Sequence, residues 1–167
     1  IVRDEDREPA GTLHEGAIDL VERHVPEPSA DDRIEGLRTA QTYLHSLGIT
    51  AWQDAMVGGH DPTFDTYVSF ARSGELTARV VGALWWDRHR GLEQVEDLIE
   101  LRERSRAGRF RATSVKIMQD GVIENLTAAV LEPYLDADGR PTENRGKSFV
   151  APEELKSVVT RLDAEGV

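Results

Sequence analysis

The chain contains no cysteine, which excludes disulfides and thiolate chemistry within it and leaves the compartment open. It also lacks any run near the ~18 apolar residues that a membrane-spanning helix needs. Position 1 is Ile, not Met. The opening "IVRDEDREPA" is acidic rather than basic and then apolar, so no secretory signal is read and a cytoplasmic location is expected. Positive charge is in short supply: the net charge is -11, which argues against general affinity for nucleic acid or an anionic membrane. The one local basic cluster, "RERSRAGRFR" (102–111), fits a solvated helix end. Short catalytic motifs are missing as well. His14, His24, His45, His60 and His89 show neither HxH nor HExxH spacing, and no P-loop or GxGxxG occurs. Ser46, Ser69 and Ser114 lack the glycines of a nucleophile elbow. "NLT" (125–127) matches a glycosylation acceptor, a chance match in a chain with no secretory signal.

What is present is enough for one domain with a core. Of the 167 residues, 39% are apolar and 31% charged, as in globular proteins. Residues 1–13 read as an extended pair about a turn, and a short helix, roughly 15–24, must stop near Pro26. Ser29 caps a helix over 30–46, with Ile34, Leu37, Tyr43, Leu44 and Leu47 along one face and Gly48 at its stop. "ITAWQDAMV" (49–57) reads as a strand, 63–74 as a short helix, and "LTARVVGALWW" (76–86) as a strand apolar enough for both sheet faces to be covered. Residues 91–108 read as a helix and "FRATSVKIM" (110–118) as the third strand. The stretch 119–150 has little to pack and is read as an excursion. Pro152, Glu153 and Glu154 open a last helix over 151–167.

Strand and helix thus alternate at intervals of about 30 residues, the length of a βαβ unit. That rhythm requires a parallel sheet with right-handed crossovers. It suits an open doubly wound sheet or an arc of a (β/α)8 barrel, whose closure needs about 250 residues. Either architecture puts chemistry at the C-terminal ends of the strands. The candidates there are Gln53 and Asp54, Trp86 with Trp85 and Asp87, and Lys116 with Gln119 and Asp120. Asp54 and Asp120 also suit turns and caps, and the tryptophans suit a core. Lys116 is the less ordinary residue. Between Val115 and Ile117 in a covered sheet it must snorkel, pair with a carboxylate such as Asp120, or act as a Schiff-base amine, an anion binder or a modified ligand.

At these residues a resemblance emerges. "LHEGAIDLVERHVPEPSADDRIEGLRTAQTYLHSLGITAWQDA", followed by "SVKIMQDGVIENLTAAVLEPYLD", resembles the central part of YtcJ-like metal-dependent amidohydrolases, the group called amidohydrolase family 3, which includes N-substituted formamide deformylases. The "VKIMQDGVIENLTAAVLEPY" stretch is the more specific part. The resemblance implies a partial (β/α)8 barrel of about three βα units plus an insertion. In it "GITAWQDA" is the second strand, "ARVVGALWW" the third, and Lys116 the fourth-strand position that is carboxylated and bridges metals in many members. It implies one or two divalent ions, zinc being the expected one, and an amide, cyclic amide or N-formyl substrate contacted by Gln53, Asp54, Trp86 and Asp120. The chain departs from the family in having no HxH pair, no later histidines and no final aspartate, and in carrying Gln53 where relatives often have His. It is therefore expected to be an internal fragment: 1–28 hairpin and short helix, 29–118 βα units, 119–150 excursion lining the site, 151–167 helix. Such a piece is expected to be inactive alone and to self-associate through its sheet edges. A self-contained binding module and a Schiff-base lyase are the alternatives.

Overall fold

The structure is a computed structural model that describes residues 1–59 and 62–167, so His60 lies outside the described residues. Strands Ala51–Val57 (β1), Arg79–Trp85 (β2) and Phe110–Lys116 (β3) form a parallel sheet in the order β1-β2-β3. Five α-helices accompany them among the described residues: Asp19–Glu22 (α1), Ala30–Ser46 (α2), Thr63–Arg72 (α3), Val95–Arg104 (α4) and Pro152–Ala164 (α5). This is an incomplete parallel sheet flanked by helices, an arc of a (β/α)8 barrel.

Local chemistry sets the element ends. Ser29 accepts the Asp32 N–H while the Asp32 carboxylate accepts the Ser29 N–H, a closed capping box at the start of α2. Those bonds to Ser29 also hold the Asp32 carboxyl below its ordinary range. Gly48, at φ +79, takes the left-handed turn that ends the helix. Pro152 occupies the first turn of α5, with Glu153 and Glu154 beside the helix's positive end. Before α1, Val2 and Ala10 N–H groups donate to Thr12 and Val2 carbonyls, so the first residues form an extended pair.

Alternation along the strands separates the sheet into two faces. On one face Val57, Val80, Leu84, Phe110 and Ala112 meet Phe64, Tyr67, Phe70, Val95, Leu98, Val158 and Leu162 in a single core. Tyr67 stacks on Phe110 with ring centroids 4.9 Å apart, and Phe64 meets Phe110 edge-on at 6.0 Å. Gly82 permits this: a Cβ there would lie 2.7 Å from Val57 Cγ2 and 3.2 Å from the Phe110 ring. The other face carries Gln53, Val81, Ala83, Trp85, Ser114 and Lys116, which pair across the strands in register. No helix layer covers it among the described residues, and Val81 and Trp85 are half-buried rather than covered on both sides. The sequence expectation for β2 is corrected to that extent.

The helix α2 also differs from its expected stripe. Ile34 and Leu37 pack on the core, but Tyr43 is 64% and Leu47 58% exposed. The buried residue of α2 is Gln41, whose Oε1 accepts the Thr77 and Ala78 N–H groups while its Nε2 donates to the Glu75 carbonyl. A glutamine rather than a leucine thus fastens α2 to the turn before β2.

Candidate functional site

The C-terminal ends of β2 and β3 are enclosed by the excursion, which is held by its own hydrogen bonds. Phe149 N–H donates to the Gln119 carbonyl at 2.7 Å, and Gln119 Nε2 donates to Ser148 Oγ and the Val150 carbonyl. Further out, Tyr134 Oη donates to the Ala128 carbonyl and Asn144 Nδ2 to that of Leu126. Two glycines let its strands touch: a Cβ on Gly146 would lie 1.9 Å from the Ala128 carbonyl oxygen, and one on Gly121 2.1 Å from Thr127 Oγ1. Between this excursion and the strand ends lies a cavity of about 610 Å³, lined by Trp85, Asp87, Arg88, His89, Met118 and Asp120 among others.

Lys116 ends β3 directly opposite Trp85. Paired residues of parallel strands project to the same side, so Lys116 shares the face away from the helices. It is half-buried, and its ammonium has no hydrogen-bond or ion-pair partner among the described residues. Val115 and Ile117, on either side of it, pack on the helical core. Trp85 is pinned from below by Gly59, where a Cβ would approach the indole Cδ1 to 2.8 Å.

Asp120 lines the same cavity, with Oδ2 accepting the Ala129 N–H at 3.0 Å. Gln53 is exposed on the face Lys116 shares but pairs with Val81, four residues before Trp85 on β2. That places it about 13 Å down the sheet. Two expected substrate contacts stand elsewhere. Asp54 faces the helices, accepting Tyr67 O–H on Oδ2 and Met56 N–H on Oδ1, both at 3.1 Å. Trp52 Nε1 donates to the same Tyr67 oxygen at 3.2 Å. The reason is parity: Asp54 is one step from Gln53, and a bulge between Asp54 and Val57 returns the strand to the core. Trp86 follows the parity of Leu84 and lies in the core at 1% exposure, so Trp85, not Trp86, fronts the cavity.

One organising residue had no signal in the sequence. Gln94 is 2% exposed, accepts the Asp87 N–H on Oε1 and donates from Nε2 to the carbonyls of Asp87, Arg90 and Gly91. It fixes the loop after β2 that supplies Asp87, Arg88 and His89 to the cavity.

Comparison with known proteins then identifies the arc. The Amidohydrolase family matches residues 1–167. The chain belongs to the amidohydrolase family. It is similar to a crystal structure described as an uncharacterized metal-dependent hydrolase from Pyrococcus furiosus, with 22% identity, a TM-score of 0.65 and coverage of 90% of this chain and 30% of that one. A second such structure, from Pyrococcus horikoshii OT3, gives 19% identity, a TM-score of 0.67 and coverage of 99% and 32%. At these identities the likeness is one of fold, and this amidohydrolase chain spans about a third of the structures it matches. No curated protein matches the chain.

Amidohydrolases generally require divalent metal ions. Among the described residues no three His, Asp or Glu side chains converge on a common point. Lys116 is a single candidate donor on the open face, and an ammonium has no lone pair to offer. These residues alone do not fit a metal ion, so no reaction step is derived through one. Among the described residues, no helix is long and apolar enough to cross a membrane.

Proposed function

We propose that this chain is an internal part of a metal-dependent hydrolase that cleaves non-peptide carbon–nitrogen bonds in amides, cyclic amides or N-formyl compounds, and that it is inactive by itself. The observation that carries the reading is Lys116: an unpaired amine on the non-helical face of a parallel sheet, at the C-terminal rim where barrel enzymes do chemistry. Family membership supplies the reaction class. In this reading the neutral Lys116 amine adds to carbon dioxide and loses one proton. The carbamate that results is an anion with two oxygen donors, and its charge suits a cationic neighbour better than the ammonium does. The remaining ligands and the proton-moving residue belong to other parts of the polypeptide. Trp85 and Asp120 form the substrate wall that this chain contributes, and zinc is the expected ion.

The partner in this reading is a small amide, without nucleic acid or membrane, and the setting is cytoplasmic. The uncovered edges of β1 and β3 predispose the isolated chain to self-association. Gel filtration over a range of concentrations tests that point, and a monomer at all of them would count against it. For the activity, the complete gene product is assayed for bound metal and for amide, cyclic amide and N-formyl cleavage. The expected result is divalent metal in the active preparation, loss of cleavage on chelation and recovery on re-addition. An active preparation free of divalent cations overturns the mechanism. Borohydride trapping of a carbonyl substrate on Lys116 would replace it with the Schiff-base alternative.

A further inference from the structure

The cavity above β2 and β3 has a division of character that the hydrolase reading does not use. Its inner walls are Trp85, Met118, Val122 and Phe149. Its volume, about 610 Å³, lies in the range of small-molecule sites. Through Trp85, the cross-strand partner of Lys116, it adjoins the rim where the reacting carbonyl would sit. The charges around these walls are not equivalent. Asp87 Oδ1 is occupied by the His89 N–H at 2.8 Å and Asp120 Oδ2 by the Ala129 N–H at 3.0 Å, so both carboxylates are turned onto backbone. Arg88 and Lys147 have no carboxylate partner among the described residues.

The two cations come from different walls. Arg88 belongs to the loop fixed by Gln94, and its guanidinium lies 4.2 Å over the Phe149 ring, with Nε 3.5 Å from His89 Nε2. Lys147 belongs to the returning limb of the excursion, anchored by its N–H on the Thr127 carbonyl at 3.1 Å. Both line the cavity. An arginine held flat on an aromatic ring keeps its outward N–H donors directed at solvent or ligand. Apolar walls bordered by cations on two sides complement a molecule with an apolar body and a terminal anion.

We propose that this cavity holds the nitrogen substituent of the substrate, and that the substituent is an apolar group bearing a carboxylate, as in an N-acylated or N-formylated amino acid with a large side chain. The inference rests on the hydrolase reading for the identity of the reacting bond, while the binding preference stands apart from it. Hydrolysis adds water across the C–N bond, giving one carboxylic acid and one amine. The amine product carries the anion held by Arg88 and Lys147.

Calorimetry on the complete gene product, with 3-phenylpropanoate and neutral 3-phenylpropanamide as probes, tests the pocket without chemistry. The carboxylate is expected to bind at least ~10-fold more tightly. The double variant Arg88→Glu/Lys147→Glu is expected to lose that preference, and Arg88→Gln/Lys147→Gln to lose part of it. The neutral pair keeps the test valid if charge reversal impairs folding. Equal affinity for the two probes, no binding of either, or a preference unchanged in the glutamine variant overturns the proposal. Assays with N-formylphenylalanine and N-formylphenethylamine separate the two readings. Carboxylate-selective binding without cleavage of either amide keeps the pocket and removes the hydrolase. Cleavage of both amides at equal rates, without selective binding, keeps the hydrolase and removes the pocket.

Discussion

Two faces of one three-stranded sheet behave as different materials. The helix-facing side is dry and interlocked: Val57, Phe110 and Leu84 are each at most 1% exposed, and its polar groups are satisfied in the Trp52–Tyr67–Asp54 chain. The opposite side holds Gln53, Ser114 and Lys116, polar groups without a helix over them. Adjacent residues in one strand therefore have different fates. Gln53 and Asp54 are neighbours of similar polarity, yet one lies on the face of Lys116 and the other braces a tyrosine inside the core. The difference teaches that strand parity, more than residue type, assigns chemistry or packing in such a sheet.

The comparison is broken most strongly from the packed side. Phe110→Ala removes the ring that both Phe64 and Tyr67 contact. It is expected to destabilise the complete gene product by ~3–5 kcal/mol, read as a lowered midpoint in urea. A loss under ~1 kcal/mol would mean that this face is not the core.

On the opposite face the consequence reverses. Lys116→Ala is expected to lower kcat/KM by at least ~10²-fold, the scale of an interaction made in the transition state, with a stability change within ~0.5 kcal/mol. Bicarbonate dependence of the wild-type activity, absent in the variant, would tie the effect to carbamate formation. Activity that survives the substitution would reduce Lys116 to a solvated strand residue.

Between these lies Asp54→Ala, one step from Gln53. It strands the Tyr67 hydroxyl and the Met56 N–H, so a cost of about 1–2 kcal/mol is expected, with kcat/KM unchanged. Loss of activity without loss of stability would return Asp54 to the substrate side and overturn the facing deduced from its partners.

Much of the fold was legible beforehand because its signals are local. Ser29 with Asp32, Gly48 and Pro152 mark helix ends by satisfying backbone groups or by fixing φ, and the strands announce themselves by β-branched runs. The facing of strand ends was not legible. Register shifts between Asp54 and Val57, and opposite Gly82 and Ala83, alter parity without any sequence mark. Asp54 and Trp86 were assigned to the mouth for that reason. The buried glutamines Gln41 and Gln94 left no trace either, since what makes them structural is a set of backbone partners brought near by the fold. Gly121 and Gly146 did carry a readable signal, close backbone approach, although nothing local named the strand each would touch.

The finest test of the two-sided sheet is one of pH, and it isolates a single proton. Burial pushes the Tyr67 phenol up to about 12, the Asp54 carboxylate adds to the rise, and the Trp52 indole N–H works against it. The folded protein thus holds this proton more tightly than the unfolded chain, whose tyrosines titrate near 10. The stability it confers is complete below pH 10 and is lost as pH rises toward 12. Other groups titrate in that window, so the informative quantity is the difference between wild type and Tyr67→Phe, which has no proton to lose at that point. Below pH 10 the difference is expected to be constant; between pH 10 and 12 it should shift steadily against the wild type. A difference that stays flat across the window would place the phenol in contact with solvent, and the dry character of the helix-facing side would then fail at Tyr67.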